Sequence, residues 1–362
     1  MKRKIDIPLL IAFILLVLIG LMMVYSASNI VALYKYNDGL YFFKRQLIFA
    51  IIGIFIVILF IKIDINKINR YTTIIFIFSL ISLILVLIPG IGVVRGGARS
   101  WIGFGSFSFQ PSEFMKISII LLLAKYLSKY DKDLNKFTSF MMILLIIGLI
   151  FGLIMLQPDL GTGMVLVGAS ILLLFSCGAP LKYFILLLVL GVVGIIVLIA
   201  SAPYRIERIL AFLDPWSDPL GSGFQTIQSL YAISPSGIFG LGFNKSMQKH
   251  FFLPEPQNDF IFAIVCEEFG LIGAIILLSL FFFLIYRIIT ISTKVNNQYY
   301  KYLCLGIGFN YFVQIFINIG VVIGLLPVTG ITLPIISYGG SSLLLSMIMI
   351  ALVLNISKYQ EG

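Results

Sequence analysis

The carboxylate of Asp259 is the group in this sequence that is best placed to do chemistry beside a membrane. It lies in the stretch Leu253-Pro-Glu-Pro-Gln-Asn-Asp-Phe260, which closes a polar loop over residues 202–257 and opens a long apolar segment. We therefore predict Asp259 at the membrane–water boundary, at the N-terminus of a transmembrane helix. A carboxylate there could touch a water-soluble group that is still tied to a lipid. The alternative is an ordinary helix N-cap, which contributes about 1 kcal/mol.

The apolar segment after Asp259 is longer than one membrane crossing needs. A helix over residues 260–286 would measure about 40 Å, against about 30 Å of hydrocarbon. Its outer turns would lift Asp259 about 12 Å above Glu267 and Glu268, at about 1.5 Å per residue. We expect one continuous helix that raises the carboxylate to the height of the lipid headgroups.

A second group of polar residues lies in the stretch Gln110-Pro-Ser-Glu-Phe-Met-Lys116. Pro111 suits the first turn of a helix, and Glu113 and Lys116 share one helix face at i, i+3. Lys116 enters the apolar run that follows, where a lone charge costs roughly 2.5–3.5 kcal/mol. Two interpretations stay open: a structural ion pair or a lysine reaching the headgroups, and a polar site shared with a lipid-linked anion.

Two further polar segments have both a structural and a functional interpretation. Asp159 could simply cap the helix that begins at Gly161. In a helix over residues 202–213 the apolar side chains would share one face, and Arg205 and Arg208 would lie on the opposite face. This pattern indicates an amphipathic helix on the membrane surface. These arginines could bind headgroups in general or a pyrophosphate in particular.

The composition identifies an integral membrane protein. Of the 362 residues, 60% are hydrophobic and 11% are charged, and the mean hydropathy is +1.11. The first apolar run, residues 7–25, lacks a small-residue cleavage site, so we interpret it as a retained helix rather than a signal peptide. The three scattered cysteines and the single histidine exclude a disulfide framework, a histidine metal cluster and a serine–histidine–aspartate triad.

The sequence predicts an all-α polytopic protein in a single integral membrane domain over residues 1–362. Ten predicted membrane-spanning segments cover residues 8–28, 46–62, 72–90, 113–128, 138–156, 161–177, 181–201, 260–286, 302–325 and 337–356.

The charge distribution predicts the orientation of these segments. With both termini in the cytoplasm, 15 of the 25 Lys and Arg residues fall inside, as do 5 of the 15 Asp and Glu residues. This asymmetry follows the positive-inside rule, so the net charge of +10 reflects membrane topology and not nucleic-acid binding. The loop over 202–257, between the seventh and eighth segments, is then extracellular.

Long motifs in this chain resemble the FtsW/RodA/SpoVE family over essentially its whole length. The motifs that carry the resemblance are Gly97-Ala-Arg-Ser-Trp-Ile102, Gln110 to Lys116, Gln157-Pro-Asp-Leu-Gly-Thr162, Leu253 to Phe262, Glu267-Glu268 and Gly330-Ile-Thr-Leu-Pro-Ile-Ile-Ser-Tyr-Gly-Gly-Ser-Ser342. The stretches Ala202-Pro-Tyr-Arg205 and Gly221 to Tyr231 are more similar to the FtsW and SpoVE branch than to RodA. Asn258 departs from the threonine that is common in the family and leaves the aspartate intact.

The resemblance implies a peptidoglycan glycosyltransferase that polymerises lipid II at the outer face of the bacterial cytoplasmic membrane. The family's key aspartate matches Asp259, and further family positions match Arg99, Trp101, Glu113, Lys116 and Gln228. Asp259 would activate the acceptor hydroxyl or help to hold a divalent cation, Mg²⁺ or Mn²⁺. The cationic groups that would bind the pyrophosphates are Arg99, Lys116, Arg205 and Arg208.

The implied partners are lipid II, the growing glycan strand, a class B penicillin-binding protein that cross-links it, and other division or sporulation membrane proteins. Two other functions remain as alternatives, and the first, a flippase, would explain the ten segments and the buried charges equally well. A lipid II flippase would need polar residues through the full depth of the membrane, whereas the intramembrane charges here lie almost all at the outer end. A scaffold that only positions a partner enzyme would leave those outer charges unexplained.

Overall fold

The computed structural model describes residues 4–95, 97–104, 107–130, 134–200 and 212–361. Within these ranges the chain is mostly helical. The α-helices are α1 (Ile7–Tyr36), α2 (Tyr41–Lys62), α3 (Ile65–Leu85), α4 (Pro111–Tyr130), α5 (Phe137–Met155), α6 (Leu160–Ser176), α7 (Leu181–Ala200), α8 (Phe224–Ile233), α9 (Ile261–Thr293), α10 (Gln298–Val322) and α11 (Gly340–Ile356). The β-strands are β1 (Gly92–Arg95), β2 (Ala98–Phe104) and β3 (Phe107–Phe109).

The protein is a multi-pass membrane protein. In the described ranges a helix overlaps each of the ten predicted segments, and seven helices are long and apolar enough to cross a membrane: α1, α2, α3, α5, α9, α10 and α11. Large apolar side chains cover the outside of these helices, for example Phe55, Phe78 and Phe282. An apolar exterior suits contact with lipid chains rather than with water.

Helix α10 lies at the centre of the bundle. It packs against α4, α6 and α9, while α11 packs against α2, and α1 against both α2 and α9. Most of the side chains of α10 are buried, and they include Asn310, Gln314 and Asn318. Buried amides in an apolar bundle need hydrogen-bond partners. Gln314 and Asn318 find theirs in loop carbonyl groups, whereas Asn310 contacts Met349 Sδ on α11.

A small β-sheet corrects the all-α prediction. The segment before α4 folds into three antiparallel strands in the order β1-β2-β3, with Gly92 opposite Ile102 and Ile102 opposite Phe109. β-Branched and aromatic residues recur along this segment, and these residue types favour strands over helices. The Oγ of Ser341 at the start of α11 donates a hydrogen bond to Ser108 O at 3.0 Å, which attaches the sheet to the bundle.

Helix α9 is broken at Gly270, so the prediction of one continuous helix is wrong. Gly270 has φ 62° and ψ −159°, a backbone conformation that is essentially restricted to glycine. The upstream loop pairs with the exposed peptide groups at the break: Leu241 N donates to Glu267 O at 2.9 Å, and Leu271 N donates to Gly237 O at 3.0 Å. The first turns of α9 are therefore packed against this loop, and the side chains from Ile261 to Glu268 are buried.

We expect Gly270→Ala to destabilise the protein by at least about 2 kcal/mol, since a side chain in this conformation costs roughly 1–3 kcal/mol. A Cβ there would also lie 2.5 Å from Gly240 N and Ile238 O, which are backbone atoms that cannot move aside cheaply. The measurement is the thermal unfolding of the purified protein in detergent. Gly148→Ala in α5 is the control, because among the described residues no neighbouring atom lies within 4 Å of its added Cβ. Equal midpoints for both variants and the wild type would contradict this account of the break.

Candidate active site

Asp259 is half-buried in the turn that leads into α9. Phe260 occupies the N-cap position, so Asp259 precedes the cap rather than forming it. Asn318 Nδ2 on α10 donates to Asp259 O at 2.7 Å, and Tyr338 N donates to Gln257 O at 2.8 Å. The backbone on which Asp259 lies is thus held by the central helix and by the segment that precedes α11.

Asn318 is a site residue that the sequence analysis missed. Its Nδ2 also donates to Ile331 O at 2.7 Å, so one amide joins the turn of Asp259 to the motif at residues 330–342. The available signal was a polar side chain inside the apolar run of residues 302–325. Polar groups at such positions usually make a contact that the fold or the function needs.

Glu113 and Lys116 form the ion pair that their spacing predicts. Lys116 Nζ lies 2.8 Å from Glu113 Oε1 and also donates to Gln314 Oε1 at 2.8 Å. Only 2% of the Lys116 side chain is exposed. Gln314 Nε2 donates in turn to Thr332 O at 3.0 Å, which extends the chain of contacts from α4 through α10 to the 330–342 motif.

Asp159 caps α6, as the structural interpretation of its motif predicts. Its Oδ1 accepts a hydrogen bond from Thr162 N at 3.1 Å. Its Oδ2 accepts from Gln110 Nε2 at 3.0 Å and from Ser112 Oγ at 3.1 Å. The cap therefore also fixes the start of α4, the helix that carries Glu113.

Arg99 and Trp101 lie on β2, and both are half-buried. Arg99 faces Val94 in the strand pairing, and its Nη1 lies 3.5 Å from Leu87 O. The sheet is joined to the N-terminus of α11 through Ser341, a residue of the 330–342 motif, because α11 begins at Gly340 within that motif. The same motif thus contacts the sheet of Arg99, the chain of contacts from Lys116 and the turn of Asp259.

Gln228 is half-buried on the short helix α8. The neighbouring Ser229 Oγ donates to Val322 O at 2.7 Å, which ties α8 to the C-terminal end of α10. Val322 is one helical turn beyond Asn318, so α8 covers the end of the helix that holds Asp259. Arg205, Arg208 and the predicted amphipathic helix, apart from its last two residues, lie outside the described residues.

In the described part of the chain no group of three or more His, Cys, Asp or Glu side chains could hold a metal ion. A divalent cation at this site would therefore need the Asp259 carboxylate together with phosphate oxygens of a substrate. Mg²⁺ is commonly held in this way, by one or two carboxylates plus substrate phosphates. The residues present fit such a shared site and not a cage made by the protein alone.

The chain is similar to several known proteins over nearly its whole length. Residues 7–362 match the FtsW/RodA/SpoVE model, described as a cell cycle protein. Stage V sporulation protein E of Bacillus subtilis (strain 168) is 49% identical over 361 residues, covering 99% of both chains. The probable peptidoglycan glycosyltransferase FtsW of Geobacter metallireducens is 39% identical, covering 99% of this chain and 96% of the relative.

The fold is also similar to solved structures. One is a chain of a peptidoglycan synthase complex that coordinates polymerization and crosslinking, with a TM-score of 0.79, 29% identity and 99% coverage of both chains. Another is a mutant of the rod shape determining protein RodA of Thermus thermophilus, with a TM-score of 0.72, 25% identity and 99% coverage of both chains. From the match over residues 7–362 and the identity of its relatives, this chain belongs to the FtsW/RodA/SpoVE family of cell cycle proteins.

Proposed function

We propose that this chain is a peptidoglycan glycosyltransferase that polymerises lipid II at the outer face of the cytoplasmic membrane, in cell division or spore cortex synthesis, with Asp259 as its catalytic carboxylate. The main support is the attachment of the Asp259 turn to both α10 and the 330–342 motif. A carboxylate on such a fixed backbone is preorganised beside the membrane surface. Relatives that are named peptidoglycan glycosyltransferase support the reaction class.

In the proposed reaction a sugar hydroxyl of the acceptor attacks the anomeric carbon of the donor. The new glycosidic C–O bond forms as the bond from the anomeric carbon to the lipid pyrophosphate breaks. Asp259 takes the proton of the attacking hydroxyl, and the pyrophosphate leaves with the electron pair without needing a proton. One general base is therefore sufficient, and the pair of carboxylates of a glycosidase is not required.

Cationic side chains stabilise the charge that develops on the leaving pyrophosphate. We assign this role to Arg99 and Lys116, together with Arg205 and Arg208 of the outer loop. Guanidinium groups suit phosphate oxygens because they donate two parallel hydrogen bonds. Trp101, Glu113 and Gln228 complete the substrate site: Glu113 orients Lys116 directly, and the other two lie on elements attached to α10 and α11.

The proposed arrangement in the membrane has ten crossings, both termini in the cytoplasm and the 202–257 loop outside. The inner side then carries the whole net charge of +10, in agreement with the positive-inside rule. Asp259 follows the outer loop directly and so faces the side on which peptidoglycan is built. We also propose a class B penicillin-binding protein as partner, which the likeness to a chain of a peptidoglycan synthase complex supports.

The proposal is tested with the purified chain and lipid II, with and without its cognate transpeptidase and with and without EDTA. We expect glycan strands on a gel in the presence of Mg²⁺ or Mn²⁺ and a lower rate with EDTA, restored by added cation. The cation, when bound to Asp259 and the substrate phosphates, would neutralise phosphate charge. An unchanged rate in EDTA would remove the cation from the proposal. Absence of polymer in every condition would contradict the glycosyltransferase assignment.

A further inference from the structure

A buried charged cluster joins the segments that flank Asp259 in the sequence and takes no part in the proposed chemistry. It consists of Lys249 and Ser246 of the outer loop, Glu267 and Glu268 of α9, and Ser26 of α1. The three charged side chains are each no more than 1% exposed. Charged side chains are almost never buried so completely unless they are paired. Here Lys249 is paired with Glu268.

Glu268 joins three separate segments of the chain. Ser26 Oγ donates to its Oε1 at 2.6 Å, which links α9 to α1. Ser246 N and Lys249 Nζ both lie 3.3 Å from the same oxygen, which links α9 to the outer loop. Lys249 Nζ also donates to Asn244 Oδ1 at 2.5 Å, so the ammonium is held within its own loop as well.

Glu267 fixes the same stretch of loop from the next position on α9. Its Oε2 accepts from Ser246 Oγ at 2.5 Å. Its Oε1 accepts from Met247 N at 2.7 Å and from Gln248 N at 3.2 Å. A carboxylate with several donors from consecutive residues fixes the backbone of those residues more firmly than one long side-chain contact does.

The cluster closes a loop in which Asp259 lies at the middle. Lys249 precedes Asp259 by ten positions and Glu268 follows it by nine, and their ion pair brings the two ends of this segment together. The opposite side of the segment is held at Gln257 and Asp259 by Tyr338 and Asn318. The base of the loop and its far side are therefore fixed by different parts of the bundle.

Stability alone does not account for a buried cluster of this kind. Burial lowers the pKa of the Lys249 ammonium even though Glu268 and Glu267 lie beside it. Well-packed apolar residues often stabilise a protein as much as a buried ion pair. In this cluster the two carboxylates also accept from consecutive backbone N–H groups of residues 246–248, which holds that backbone in one arrangement. The arrangement that this cluster fixes is the base of the Asp259 segment.

We propose that Lys249, Glu267 and Glu268 are positioning residues that set the place of the Asp259 carboxylate relative to the acceptor hydroxyl. This inference rests on the proposed function of Asp259. The cluster acts through the backbone of residues 250–260 and does not touch the substrate. Its loss should lower kcat and leave KM for lipid II nearly unchanged, because the pyrophosphate-binding groups belong to other segments.

The test is Lys249→Met, measured by lipid II polymerisation and by hydrogen exchange of the amides in residues 250–260. We expect kcat to fall by about 100-fold, the effect of a misplacement of roughly 1 Å. Exchange in the segment should rise at the same time. Arg287→Met is the matched control: the Arg287–Asp6 ion pair joins the same two helices, α9 and α1, at their opposite end. This control should leave both kcat and exchange in residues 250–260 as in the wild type.

The double variant Lys249→Met/Glu268→Gln keeps the net charge of the cluster. It replaces Lys249→Met in both measurements if the single variant fails to fold. A folded double variant with low kcat and fast exchange supports the inference. Wild-type kcat in either folded variant overturns it, and so does a fall in kcat without faster exchange. If the wild type makes no polymer, the proposed function is contradicted. If hydrogen exchange in residues 250–260 is unchanged in the Lys249 variants, the positioning role is contradicted independently of activity.

Discussion

Asp259→Ala is expected to abolish the polymerisation of purified lipid II while the protein stays folded and inserted in the membrane. Loss of a general base typically lowers a rate by about 10²–10⁴-fold, so the residual activity should be near the limit of detection. Folding should survive because the neighbouring segments hold this turn through its backbone: Asn318 contacts Asp259 O, and Tyr338 contacts Gln257 O. The measurement is the initial rate of glycan formation at equal amounts of monodisperse protein.

The control for this variant is Asp214→Ala, which removes a carboxylate from the loop over residues 202–257 that precedes Asp259. Asp214 is exposed, and its side chain caps a single turn of helix by accepting from Trp216 N at 3.2 Å. We expect this variant to polymerise lipid II at the wild-type rate. Polymerisation by Asp259→Ala at nearly the wild-type rate would remove Asp259 from the reaction.

Breaking the Glu113–Lys116 pair is expected to have the second-largest effect. Glu113→Ala leaves the Lys116 ammonium with 2% exposure and only Gln314 as an observed partner within the described residues. Removal of one partner from a buried pair costs about 3–5 kcal/mol, because the other charge is left uncompensated. The variant should therefore unfold at a clearly lower temperature in detergent and lose its activity with its fold.

The double variant Glu113→Gln/Lys116→Met separates the structural role of this pair from a role in substrate binding. Removing both charges should recover most of the lost stability. We expect polymerisation to stay low even so, because we propose that the charge of Lys116 also binds a lipid-linked anion. Recovery of both stability and activity would assign the pair a purely structural role.

Features that depend on neighbours in sequence were predictable. The helical segments followed from apolar runs, and the positions of α4 and α6 followed from Pro111 and from the Asp159 cap. The contact between Glu113 and Lys116 followed from their i, i+3 spacing. The Asp159 cap and the Glu113–Lys116 pair each join residues three positions apart, so a short stretch of sequence contains the whole interaction.

Features that depend on distant segments were not predictable. The break at Gly270 is stabilised by backbone groups of residues 237–242, about thirty positions upstream, while the apolar pattern of α9 continues through it. Likewise, Asn318 contacts Asp259 across 59 positions, and Ser26 contacts Glu268 across 242. The sheet of β1 to β3 is the exception, because its strands are neighbours in sequence. It was missed because its glycines and short strands look like a loop, although its β-branched and aromatic residues favour strands.

One measurement tests most directly whether this chain is itself the polymerase. The purified chain is reconstituted into vesicles with fluorescent lipid II, and polymer formation and movement of the label between leaflets are followed in the same sample. The account predicts glycan strands from the wild type and none from Asp259→Ala, with no transfer of label across the bilayer. Transfer of the label across the bilayer without polymer would contradict it and assign the chain as a flippase.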